Sequence, residues 1–147
     1  MIVRPRVAVA LIVAVFGIGF ALGGFLQPSV FAQSGTRVYE LRTYTAPEGK
    51  LKELDARFRD HTLKLFTKHG MTNIGYFHPQ DAPNSQNTLI YVLAHKNREE
   101  AKKSWATFGA DPEWVKVGTE SEANGRLTTQ GGVQSVFMDP ADFSPMK

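Results

Sequence analysis

The stretch from residue 37 to 44, with the sequence RVYELRTY, constrains the fold more than any other part of the chain. Its side chains alternate with a period of two, which is the pattern of a β-strand with two different faces. One face carries Tyr39, Leu41 and Thr43, and the other carries Val38, Glu40, Arg42 and Tyr44. Two opposite charges on a face that a fold can bury are costly unless they are satisfied. This face therefore either meets solvent or closes onto a surface that satisfies both charges.

The N-terminal region has the order of charge, apolar run and small residues that is typical of an export signal. Arg4 and Arg6 precede an apolar run from Val7 to about Leu26, and Ala32 follows at a small-residue position. This order predicts a signal peptide over residues 1–32 and a single domain over residues 33–147. Because the apolar run approaches the length of a bilayer span, an uncleaved membrane anchor is the alternative. We expect an exported domain, either periplasmic or secreted, or tethered by its N-terminus.

Charge and cysteine content exclude several classes of function. The chain has 17 basic and 14 acidic residues, and removal of the signal peptide with Arg4 and Arg6 leaves 15 against 14. So small a net charge favours neither nucleic acid nor a membrane surface as a partner, apart from the N-terminal segment itself. The absence of cysteine excludes disulfides, thiolate metal sites and a cysteine nucleophile.

Hydrophobic periodicity and turn residues predict four strands and three helices. The elements alternate as β-α-β-β-α-β, which makes two split βαβ connections. Such connections give a four-stranded antiparallel sheet with both main helices on one face. The opposite face stays uncovered, and a second copy of the chain is its simplest cover. The predicted order is β-α-β-β-α-β with an extra helix before the last strand: strand 37–44, helix 50–69, strands 72–78 and 87–95, helix 97–108, a helix from 111 that fades near 124–125, and strand 133–138.

Two helix starts are marked by side chains that accept backbone hydrogen bonds. Asn97 precedes one helix, and Asp111 followed by proline precedes the next. Within the first of these helices, Ala101, Trp105 and Phe108 recur at helical spacing. This spacing predicts that all three pack in the core.

Four motifs together give the chain a family resemblance. They are the strand 38–44, the segment PEGK at 47–50, the segment DPEW at 111–114 and the closing FSP at 143–145. With these motifs the chain resembles the NIPSNAP family from Val38 to Pro145. The resemblance implies a ferredoxin-like dimeric α+β barrel, an architecture shared with small antibiotic-biosynthesis monooxygenases, EthD-like proteins and some haem-binding relatives. It implies a fold and a homodimer, and no established reaction.

The charged pair Glu40 and Arg42 has two interpretations. The pair either lines a ligand site or sets the register of a dimer, and register is a well-supported use of paired buried charges. We favour the structural interpretation. In a βαββαβ sheet we expect this face to point into the dimer, away from the helix-covered side where Tyr39 and Leu41 would pack.

Aromatic side chains and histidines predict a pocket between sheet and helices for a small apolar or aromatic molecule. In a cofactor-free oxygenation, His61 or His78 is the candidate proton acceptor. One alternative is a non-catalytic interaction or structural protein, because no motif in the sequence demands catalysis. Another is a haem protein with His61 as axial ligand. The predicted pocket residues are Tyr44, His61, Tyr76, His78 and Trp114.

The spacing of the four histidines does not favour a metal site. His61 and His69 are eight residues apart on one helix, which separates them by about 12 Å of rise. His78 and His95 end neighbouring strands, but no third ligand accompanies them. We therefore predict no metal and no cofactor, with haem as the alternative.

Overall fold

The computed structural model describes residues 37–146 and contains the predicted elements in the predicted order. The predicted signal peptide lies outside the described residues, so export stays a prediction from the sequence. Within residues 37–146 no helix has the length and apolar character needed to cross a membrane. The elements are β1 (Val38–Thr45), α1 (Leu51–Arg57), a π-helical turn (Phe58–Thr62), α2 (Leu63–Lys68), β2 (Thr72–Phe77), a 3-10 turn (Asn84–Gln86), β3 (Thr88–His95), α3 (Arg98–Gly109), α4 (Pro112–Ser121) and β4 (Val133–Met138).

The four strands form one antiparallel sheet in the order β2-β3-β1-β4. In β1, Tyr44 pairs with Leu89 of β3 on one side and with Val133 of β4 on the other. The two outer strands are therefore β2 and β4, and each is joined to the centre through a helix-containing connection. The predicted βαββαβ fold with an extra helix, α4, before the last strand is confirmed.

Side-chain caps start the two later helices as predicted. The Asn97 side chain accepts a hydrogen bond of 2.8 Å from the Glu100 backbone N–H, and Asp111 accepts one of the same length from Glu113. Each bond satisfies a backbone donor that the first helical turn leaves unpaired. Asp111 also accepts from His69, with Nε2 at 2.7 Å, which ties the start of α4 to the end of α2.

The first helical region differs from the single regular helix that the sequence predicts. A π-helical turn separates α1 from α2, and the Thr62 hydroxyl donates to the Arg57 carbonyl oxygen over 3.1 Å. Phe58 and Thr62, at its two ends, are both buried. A π-helical turn alters the angular spacing of side chains, and such turns are frequent at functional sites.

The core lies between these helices and one face of the sheet. Tyr44 on β1 contacts the ring of Phe58, and Tyr91 on β3 stacks on Phe66, with ring centroids 5.6 and 6.0 Å apart. Because Tyr44 lies on the same face of β1 as Glu40 and Arg42, the helices cover the charged face. The buried apolar cluster consists of Ala46, Leu54, Phe58, Leu65, Phe66, Met71, Leu89, Tyr91, Leu93, Phe108 and Leu127.

The opposite face of the sheet is apolar and partly exposed. Val136 on β4 and Phe77 on β2 are 56% and 57% exposed. Neighbouring side chains on this face are only partly buried. We call this surface the open sheet face and define it by Leu41, Phe77, Ile90, Val92 and Val136.

Candidate functional site

The carboxylate of Glu40 is 1% exposed and accepts hydrogen bonds from four side chains. Its Oε2 accepts hydrogen bonds from Nε2 of His95 at 2.9 Å and from Nε1 of Trp105 at 2.7 Å. Its Oε1 accepts from Arg42 at 2.7 Å and from the Ser135 hydroxyl at 2.6 Å. Since Trp105 belongs to α3, the prediction that Glu40 and Arg42 point away from the helices is wrong. The physical reason is that a helix side chain carries one of the donors that the carboxylate needs.

The environment of Glu40 keeps it ionised. Burial alone raises the pKa of this carboxyl, but hydrogen bonds from His95, Ser135, Trp105 and Arg42 outweigh burial and lower the pKa to about 2. A carboxylate with this pKa exchanges no proton near neutral pH, so it is a poor acid or base. Its contacts tie β1, β3, β4 and α3 together. This supports a structural role for Glu40, while a role in dimer register stays a prediction.

Arg42 is held in place on the same face. Its guanidinium lies 4.2 Å from the ring centroid of Trp105 and donates to the Tyr44 hydroxyl over 3.3 Å. The guanidinium thus combines an ion pair, a hydrogen bond and a cation–π contact. Arg42 therefore acts with Glu40 as one structural unit.

The structure brings together two of the five predicted pocket residues, Tyr76 and His78. Tyr44 packs in the aromatic core, edge-on to Phe58 and Tyr91. Trp114 packs against Phe108, with ring centroids 4.4 Å apart. His61 lies in a different groove from Tyr76 and His78.

Tyr76 and His78 line a groove of about 250 Å³ between the first helical region and the edge strand β2. We call it the edge groove. Its walls combine aromatic and aliphatic side chains with an aspartate, an arginine and a histidine. The lining residues are Asp55, Phe58, Arg59, Leu63, Tyr76, His78 and Leu89.

The polar groups of the edge groove have defined orientations. His78 uses Nδ1 to donate to the Thr88 carbonyl oxygen at 2.9 Å, which leaves Nε2 facing Asp55 Oδ2 at 3.3 Å. The Tyr76 hydroxyl donates to Asn73 over 2.5 Å. Burial raises the pKa of Tyr76 above its ordinary value, so this side chain stays a neutral phenol at neutral pH.

His61 lies in a second groove, of about 340 Å³, between the π-helical turn and α4. We call it the helix groove. Three carboxylates line it, those of Glu53, Asp60 and Glu120, together with Arg57. Among residues 37–146 no group of three or more histidine, aspartate and glutamate side chains is placed to hold a metal ion.

Several edge-groove residues carry no sequence pattern that indicates a site. Asp55 and Arg59 are charged residues of an amphipathic helix, which usually indicate a solvent-facing surface. The signal that points to them is positional: each lies within one turn of Phe58, which the helical periodicity places on the apolar stripe. The π-helical turn that begins at Phe58 has no such sequence signal.

The antiparallel order β2-β3-β1-β4 with helices on one face defines a ferredoxin-like α+β domain. The sequence model of the NIPSNAP family matches residues 39–145. The chain belongs to the NIPSNAP family. No curated protein matches the chain.

Solved structures share this fold. A NIPSNAP family protein of unknown function from Agrobacterium tumefaciens C58 is 23% identical, with a TM-score of 0.65 over 78% of this chain and 96% of that one. An uncharacterised NIPSNAP-like domain protein from Burkholderia xenovorans is 21% identical, with a TM-score of 0.64 over 76% and 90%. SnoaB, a cofactor-independent oxygenase from Streptomyces nogalater, is 13% identical, with a TM-score of 0.51 over 75% and 98%. At these identities the similarity concerns the fold.

Proposed function

We propose that the protein binds a small apolar or aromatic molecule in the edge groove. The observation that carries this proposal is the composition of the groove: Phe58, Leu63, Tyr76 and Leu89 form apolar walls beside a few ionisable groups. Mostly apolar concave sites with few polar groups are typical of small-molecule binding. The volume of about 250 Å³ is slightly below the range of about 300–1,000 Å³ for drug-sized ligands. The expected ligand therefore has one or two rings.

His78 is our candidate for a proton acceptor towards the bound molecule. Because Nδ1–H donates to Thr88, a neutral His78 has its lone pair on Nε2, and the Asp55 carboxylate at 3.3 Å stabilises the imidazolium that proton uptake forms. A base of this kind suits a cofactor-free oxygenation of an activated substrate. Unchanged oxygen uptake in His78→Gln, with a substrate that the wild type oxidises, would contradict this role.

Blocking the edge groove tests the binding proposal. In Leu63→Trp we expect the affinity for a neutral aromatic probe, 2-naphthol, to fall at least about tenfold, because the larger side chain occupies the groove and displaces most of the apolar contacts. Isothermal titration calorimetry measures the change. Ala56→Trp, in the helix groove, is the matched control and is expected to leave the affinity unchanged. Two results would contradict the proposal. One is a loss of affinity in Ala56→Trp, and the other is an unchanged affinity in both variants when both are folded.

The haem alternative receives less support from the geometry around His61. The carboxylates of Glu53, Asp60 and Glu120 line the helix groove and would repel the negative propionates of a haem. A Soret band on reconstitution would favour haem over the cofactor-free proposal. A chain that binds neither haem nor an aromatic probe would fit the remaining alternative, a non-catalytic interaction or structural protein.

We also propose that the open sheet face packs against the same face of a second copy. Its support is the exposed apolar surface around Val136 and Phe77 together with the ferredoxin-like fold. A two-fold axis through this surface would bury both faces at once. The partner is therefore a second copy of this chain.

A further inference from the structure

We propose that the molecule bound in the edge groove is a small aromatic acid, and that Arg59 binds its carboxylate. This inference rests on the proposed function of the groove. It adds the chemical class of the ligand and assigns a binding role to Arg59.

The first observation is the state of the charged groups that line the edge groove. Asp55 already contacts His78, with 3.3 Å between Oδ2 and Nε2. The Arg59 side chain forms no hydrogen bond or ion pair with any residue of the described range 37–146. Arg57, two residues earlier, pairs with Glu122 over 3.0 Å. Among the seven residues that line the groove, the charged side chain left without a described partner is thus a cation.

The second observation is the position of Arg59 in the helical region. Asp55 and Arg59 are four residues apart, a spacing at which opposite charges pair along a regular α-helix. The π-helical turn begins between them, at Phe58, and changes the angular spacing. Asp55 contacts His78, just after the end of β2, instead, and the exposed Arg59 side chain lines the groove without a partner in the described range.

The chemistry of the walls defines the rest of the ligand. The ring of Tyr76 lies 5.9 Å from that of Phe58, and Leu63 and Leu89 complete the apolar surface. A guanidinium is a planar fork that binds a carboxylate through two parallel hydrogen bonds. A flat ring with a carboxylate satisfies both parts of the groove. Asp55, the one carboxylate among the lining residues, is directed at His78, so the cation that lines the groove without a partner is the group available to a ligand.

A pair of isosteric ligands separates the charge contribution from the shape contribution. For the full-length protein we expect 2-naphthoate to bind about tenfold more tightly than the neutral 2-naphthamide, as a charge-assisted hydrogen bond at a partly exposed site predicts. In Arg59→Gln the preference should disappear, because the carboxylate of 2-naphthoate loses its cationic partner. Calorimetric titration gives the dissociation constant of each ligand, for the wild type and for the variant.

Replacing a different basic residue tests whether the preference for 2-naphthoate depends on Arg59 or only on the net charge of the protein. Lys52→Gln removes the same charge from an exposed position on α1 outside the lining of the groove, and it should keep the full preference for 2-naphthoate. Equal binding of the two ligands to the wild type, or an intact preference in Arg59→Gln, overturns the inference and leaves the binding proposal standing. If neither ligand binds and 2-naphthol also fails to bind, the proposed function itself is overturned.

Discussion

Replacing Glu40 with alanine is expected to lower the free energy of unfolding by about 3–5 kcal/mol, the cost of breaking a buried charge pair by removing one partner. The variant leaves Arg42 without its counter-charge and leaves the Trp105 and His95 ring N–H groups without an acceptor. All three donors lie on the helix-covered side of the sheet, and the side chains of His95 and Arg42 are 0% and 14% exposed, so water has little access to replace the carboxylate. Urea denaturation followed by circular dichroism measures the change.

Glu53→Ala is the matched control for the Glu40 variant. Glu53 also forms an ion pair, with Lys50 at 2.8 Å, but its side chain is 50% exposed. An exposed pair of this kind contributes at most about 1 kcal/mol. Similar losses of stability in the two variants would contradict the structural role that we assign to the Glu40 contacts.

The difference in unfolding free energy between the wild type and Glu40→Ala should depend on pH in a defined direction. The pKa of Glu40 is about 2 in the folded chain, against an ordinary value of 4.5. A carboxyl with a lowered pKa stabilises the fold above its unfolded pKa, and this contribution is lost as the pH falls towards its folded pKa. The stability difference between wild type and Glu40→Ala should therefore shrink between about pH 4.5 and pH 2. A difference that stays constant over this range would contradict the ionised state of Glu40.

Placing a charge on the open sheet face should disrupt the proposed dimer. Val136→Arg is expected to weaken self-association by about 100-fold or more, because each copy would bury an unpaired guanidinium group in the proposed interface. Sedimentation velocity over a range of concentrations measures the dissociation constant.

Val115→Arg is the matched control for the dimer. Val115 on α4 is 55% exposed, almost the same as the 56% of Val136, but it lies outside the sheet. The control should keep the self-association of the wild type. A wild type that is monomeric at micromolar concentration, or equal weakening by both substitutions, would contradict packing through the open sheet face.

Strand β1 shows how far local sequence could predict the fold. Its alternation gave the strand and the two sets of side chains correctly, and the pairing register keeps Glu40, Arg42 and Tyr44 on one face. The alternation could not show which face the helices cover. That choice depends on Trp105, 65 residues away, and Ser135, 95 residues away. Donors at such separations leave no mark on a local pattern.

The candidate site was predictable in part for a similar reason. Tyr76 and His78 are two residues apart at the end of β2, so the strand period already placed them on the same side. His61 belongs to a helix whose regular spacing is broken by the π-helical turn, and it lies in the helix groove. Trp114 was predicted for the pocket as an aromatic residue after a helix cap, yet its ring packs against Phe108. The difference between a pocket wall and a core contact depends on packing that spacing alone does not define.

Intermolecular nuclear Overhauser effects from a bound aromatic probe test most directly whether the edge groove is the binding site. With 2-naphthol at saturation, we predict effects from the ring protons of the probe to the methyl groups of Leu63 and Leu89, which line the edge groove. Effects to Val117, which lines the helix groove, would place the ligand elsewhere. Such effects to Val117, or none to Leu63 and Leu89 at saturation, would contradict the account.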